Sequence, residues 1–172
     1  MVKTDSSTVL AESNAVSTSF DVKSRIYNQG NNTPITWIDD YSNVNSQPYN
    51  DLKTKYCDLI THYLQQASSG ETDGSTCPSV SFTPVSVIQP DGSVVRAVQG
   101  DAVINVPTTA GSQLTSSQLY SLLVQGYNRT TSPSSIRLDG LQAQRKYRSF
   151  CKDLIGLKRR NLIGLKKEFE GI

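Results

Sequence analysis

The sequence predicts an α+β fold: a small antiparallel sheet packed with two helices, preceded by a mobile N-terminal arm and followed by a long basic amphipathic C-terminal helix. Three patterns carry that prediction. Apolar residues recur at helical spacing over 49–66, the period changes to two over 80–106, and cations separate from apolar residues on a helical wheel over 145–169.

The elements follow in chain order. Residues 1–33 are rich in Ser, Thr and Asn and sustain no period, so they read as a mobile arm. Only Phe20-Asp21-Val22 and Arg25-Ile26-Tyr27 hint at a strand, and the distal part of the arm is the part expected to dock. Ile35-Thr36-Trp37-Ile38 reads as a strand or core edge, bounded by Pro34 and Asp39-Asp40, with Trp37 as a core anchor. The first helix is placed at 49–66, capped by Asn45 or Ser46, with Pro48 in its first turn. Tyr49, Leu52, Tyr56, Leu59 or Ile60, and Tyr63 make its core stripe.

Val80 and Phe82 alternate, Pro84 interrupts, and Val85 and Val87 resume in the opposite phase, which predicts a bulge or an edge strand. Pro90-Asp91-Gly92 is a turn signal, Ser93–Val98 the return strand, and Val103–Val106 a further strand ended by Pro107. Thr115-Ser116-Ser117-Gln118 fits a capping box for a short helix carrying Leu119, Leu122 and Leu123, with Gly126 as its stop. The organisation expected is therefore arm 1–33, core 34–127, linker 128–136 and basic helix 137–172.

Charge is unevenly spread. Net charge is +2, yet residues 137–172 carry ten cations against four acids, and residues 1–136 carry seven cations against eleven. Such asymmetry points to an anionic partner for the basic end. On a wheel, Arg145, Arg148, Lys152, Arg159, Arg160, Lys166 and Lys167 share an arc of about 120°, opposite an apolar arc of about 160° that includes Phe150, Leu154, Leu157 and Leu165. Lys146, Lys158 and Ile163 depart from this pattern. Three explanations compete: a solvated surface helix, a phosphate-tracking face for RNA or DNA, and a helix lying on an anionic membrane or in a partner's groove. No aromatic interleaves the basic arc, so nucleic-acid binding here is backbone-directed and independent of sequence.

Catalytic signatures are missing from the sequence. His62 is the single histidine and lies about 140° around the helix from Cys57, which disfavours a Cys–His pair. Cys57, Cys77 and Cys151 with His62 lack the close spacing of zinc ligands, and no phosphate-cradling glycine loop occurs. No catalytic residue, metal or cofactor is therefore expected. The start is polar and no run of about 18 apolar residues occurs, so the expected setting is cytoplasmic, or a virion if the source is viral. In that setting the cysteines read as free buried thiols, and the acceptor patterns Asn31-Asn32-Thr33 and Asn128-Arg129-Thr130 as coincidental. The functional expectation is a non-enzymatic, self-associating structural protein that binds nucleic acid electrostatically, in the manner of a viral coat, matrix or nucleocapsid-associated subunit. The alternative is an adaptor whose basic helix docks on an anionic membrane or a partner protein.

Overall fold

The computed structural model describes residues 16–67, 72–108, 114–131 and 134–146. Their order is β1 (Val16–Asn28), a short 3-10 turn (Asp39–Ser42), α1 (Gln47–Ala67), β2 (Thr76–Ile88), β3 (Val94–Thr108), α2 (Ser116–Arg129) and β4 (Ile136–Arg145). The strands form one antiparallel sheet in the order β2-β3-β1-β4. This is the split β-α-β arrangement of ferredoxin-like folds. The α+β class and the sheet with two helices are as the sequence predicted.

The first correction concerns the arm. Over 16–28 the chain is the inner strand β1, paired with β3 on one side and β4 on the other. Its inward residues include Phe20, Val22 and Ile26, interspersed with the buried Ser24, so the apolar alternation is broken. Ser24 is tolerated because its hydroxyl shares a 2.9 Å hydrogen bond with the buried Tyr56 hydroxyl, which also donates to the Gly100 carbonyl at 2.9 Å. Residues 1–15 of the expected arm lie outside the described residues.

Helix α1 forms as its spacing dictates. The Ser46 hydroxyl accepts from the Tyr49 amide at 3.1 Å, and Pro48 occupies the first turn, where a missing N–H costs nothing. Its buried stripe runs from Tyr49 through Tyr56, Ile60 and Leu64 onto the sheet. Pro84 lies in β2, which is an edge strand as expected. The register passes through Pro84 opposite Val98 without a break, and the irregularity falls between Thr76 and Ser79 instead. Residues 94–108 form one continuous strand rather than two. In the connecting hairpin Gly92 takes φ +81°, and the Asp91 carboxylate accepts from the Ser93 amide and hydroxyl. Those bonds, the hydroxyl foremost, hold the Asp91 carboxyl below its ordinary range.

The segment after β1 extends the sheet. The Val98 amide donates to Ile35 and the Trp37 amide to Arg96, at 2.9 and 2.7 Å. Trp37 packs half-buried against the core, with Arg96 over its ring at 5.8 Å. Helix α2 carries the predicted capping box at Thr115 and Gln118, but Gly126 does not stop it. The helix runs on to Arg129, and Gly126 is where its backbone meets the Tyr63 backbone of α1. Leu119 and Leu123 are fully buried, whereas Leu122 is partly so.

The second correction concerns the last element. Residues 136–145, divided in expectation between linker and helix start, form the edge strand β4. Arg25 pairs with Asp139 and Lys23 with Gln142, so Gly140 (φ +61°) and Leu141 together oppose Ser24 in a bulge. The bulge shifts the inward phase from Ile136 and Leu138 to Leu141 and Ala143. A step from 138 to 141 imitates helical spacing, which is why the strand reads as helix. The expected helix beyond Lys146 lies outside the described residues.

Candidate interaction surface

Both helices pack on one face of the sheet, because Phe20, Val22, Val98, Ile104 and Leu138 point there and join one apolar core. Alternation then forces the intervening residues to the other face. That face is polar and open. A trough of about 720 Å³ crosses it, lined by Asp21, Lys23, Ser81, Asp101, Gln144 and Lys146 among others. Its charges are mutually paired: Lys23 with Asp101 at 3.1 Å, Arg25 with Asp139 at 2.8 Å, and Lys146 with Asp21 at 3.5 Å. Ser19 donates to Asn105 at 2.7 Å on the same face. These exposed pairs contribute little to stability, but they leave the face close to neutral. What it offers a partner is hydroxyls, amides and neutralised charges.

An open four-stranded sheet of this connectivity stacks nucleobases only when aromatic rings stand on its central strands. On β3 the outward positions are Gln99, Asp101, Val103 and Asn105, and on β1 the aromatic is Tyr27. Tyr27 is itself covered by the Arg137 guanidinium, 5.1 Å from the ring centroid. Among the described residues, the outward positions of β3 thus carry no aromatic ring.

Of the predicted cations, Arg145 is described. It ends β4 with the parity of Leu141 and Ala143, towards the helix-covered side, and its amide donates to the Ser116 hydroxyl at 2.8 Å. It does not stand on the open face. Arg148, Lys152, Arg159, Arg160, Lys166 and Lys167 lie outside the described residues. Among the described residues, no group of three His, Cys, Asp or Glu is placed to hold a metal.

Two features escaped the sequence. Cys57 of α1 and Cys77 of β2 form a disulfide, with Cα atoms 5.7 Å apart, in place of the free thiols expected. Their spacing gave no hint, because it is the return of the chain from α1 into β2 that brings them together. The second is a cavity of about 250 Å³ bounded by Gln29, Tyr63, Tyr127, Asn128, Thr130 and Arg137. Arg137 Nε is buried there without a hydrogen-bond partner among the described residues. Burial first, and then the Tyr127 hydroxyl beside it, push the Tyr63 hydroxyl up to about 12, against a smaller opposing pull from Arg137. Burial raises Tyr56 in the same direction.

A raised tyrosine favours the fold only while it is neutral. Its contribution is complete below the unfolded value of 10.0 and is lost as pH climbs towards about 12. Urea midpoints measured from pH 8 to 12 are therefore expected to hold steady up to about 10 and then to fall. A profile flat to pH 12 contradicts this burial.

No family model matches the chain, and no curated protein matches it. Among solved structures, the full extracellular region of zebrafish Gpr126/Adgrg6 matches at 8% identity and a TM-score of 0.39, over 75% of this chain. The chain spans 13% of that protein's length, and a likeness this slight carries nothing over from it. Among the described residues, no helix is long and apolar enough to cross a membrane.

Proposed function

We propose that this chain is a non-enzymatic structural module that works by binding, and that the basic stretch after β4, residues 147–172, holds a polyanionic partner by charge. The observation that carries this reading is the segregation of seven cations against three acids into residues 147–172, while the rest of the chain is net acidic. Among the described residues, Lys23, Arg25 and Lys146 on the open face are each paired with a carboxylate, so what supports a polyanion site is the charge layout after β4.

The disulfide bears on where the module works. Bridges persist in oxidising compartments and are rare in the cytosol. The Cys57–Cys77 bridge thus favours a lumenal or extracellular setting over the cytoplasmic one expected from composition. A sulfated polysaccharide suits that setting best. Sequence-independent binding to RNA or DNA is the second reading, which the charge layout favours as well and the disulfide does not.

The test replaces Arg159, Arg160, Lys166 and Lys167 by Gln, which nearly preserves helix propensity. Thermal stability is expected to stay within about 0.5 kcal/mol. Affinity for a heparin-type polysaccharide is expected to drop about tenfold or more, with a flatter dependence on salt. A loss confined to RNA and DNA establishes the second reading, and a loss confined to anionic vesicles establishes a membrane surface. Unchanged binding in all three assays reduces the stretch to solvated surface.

A further inference from the structure

We infer that Asn31 and Asn128 are N-glycan acceptors and that their two glycans share one corner of the domain. This rests on the oxidising setting proposed above, in which Asn-X-Thr segments meet the transferase machinery of the secretory lumen. Composition alone offers no reason to prefer that setting; the disulfide does.

Both acceptors are exposed, with Asn128 the better one, because Pro34 directly after Thr33 stiffens the backbone at Asn31 and makes it the slower acceptor. Asn31 is exposed at the tip of the return that follows β1, where the Asn28 amide donates to Thr33 at 2.8 Å and Asn32 takes a left-handed φ of 57°. Asn31 Oδ1 accepts from the Thr33 hydroxyl at 2.8 Å and from the Thr33 amide at 3.2 Å. These bonds engage the oxygen, whereas the reacting atom is Nδ2. Asn128 is exposed in the last turn of α2. There the Thr130 hydroxyl donates to the Gly126 carbonyl at 2.8 Å, so transfer at Asn128 precedes closure of that helix end. The two sites are neighbours: Asn128 lines the same cavity as Gln29, two residues before Asn31, and the Gln29 amide donates to Ser135 at 3.1 Å.

In the transfer, Asn Nδ2 bonds to the anomeric carbon of a lipid-linked oligosaccharyl diphosphate. The carbon–oxygen bond to the diphosphate breaks, the diphosphate leaves with the electron pair, and one amide proton passes to a base of the transferase. The position has a consequence for binding. The acceptors lie where Asn28 pairs with Ile136, whereas the trough and the exit of the chain from β4 lie towards the pairing of Phe20 with Arg145. Two glycans at the first end leave the trough and the point where the chain leaves β4 open.

The test expresses the full chain behind an endoplasmic-reticulum leader in a eukaryotic secretory host. Two discrete mass steps, both removed by peptide N-glycosidase, are expected. Asn31→Gln and Asn128→Gln should each remove one step, and so should Thr33→Ala and Thr130→Ala, which keep the asparagine. Fewer than two steps on the secreted chain overturns the inference. Thiol titration of the denatured sample separates this from the setting: free thiols at Cys57 and Cys77 remove the oxidising reading itself, whereas a formed bridge with no glycan removes only the inference.

Discussion

Gly126→Ala is expected to destabilise the fold by about 3 kcal/mol or more, read as a thermal midpoint lower by on the order of 10 °C. On an isolated helix the same change would stabilise by about 1 kcal/mol, because glycine is a poor helix former. Packing reverses the sign. A methyl at Gly126 would overlap the Tyr63 carbonyl oxygen and stand 2.7 Å from the Tyr63 Cα. Both are backbone, so no rotamer change can make room. The helices must separate, and separation unpacks Leu119, Leu123 and the edge-to-face pair of Tyr63 and Tyr127, whose centroids lie 5.8 Å apart. Gly30→Ala is the control, since a methyl there meets nothing within 4 Å. Equal midpoints for the two variants would show that α1 and α2 do not approach this closely.

Replacing Cys57 and Cys77 together by Ser is expected to lower stability by about 3 kcal/mol. The bridge spans 20 residues of sequence, and closing a loop of that size removes about this much freedom from the unfolded chain. The effect acts chiefly on the unfolded state, so the native sheet pairing should be unchanged in the variant. Chemical unfolding of the parent with and without a reductant should give the same difference, while the variant should not respond to reductant. A parent midpoint indifferent to reductant would mean that the link contributes nothing.

How much of this was legible in the sequence depended on whether burial followed one period. Helix α1 and the capping box of α2 were readable because Tyr49, Leu52, Tyr56 and Ile60 keep helical spacing and because Thr115 and Gln118 satisfy free amides locally. Strand β1 showed only as a broken hint at Phe20-Asp21-Val22 and Arg25-Ile26-Tyr27, because Ser24 sits in its core face, made acceptable by a tyrosine 32 residues away. Strand β4 was hidden by a bulge at Gly140 that disguised its period. Gly126 resembled a helix stop, since composition does not distinguish a cap from a close approach of two backbones. For the candidate site, the charge layout was fully visible in composition, whereas the disulfide depended on a chain reversal that no local pattern encodes.

The pairing of β1 with β4 also sets how the domain would respond to tension. Chain enters β1 beside the place where it leaves β4: Phe20 stands opposite Arg145, and the Lys146 amide donates to the Ser19 carbonyl at 2.9 Å. A load applied through these two ends pulls along the hydrogen bonds of an antiparallel ladder, which lie perpendicular to the strands. The rungs then break in succession from that end, like a zip, and never share the load as they would if the strands were sheared lengthwise. The bridge between Cys57 and Cys77 lies outside this seam and cannot reinforce it. Held in a tether, the domain would yield at low force, with β4 peeling away first.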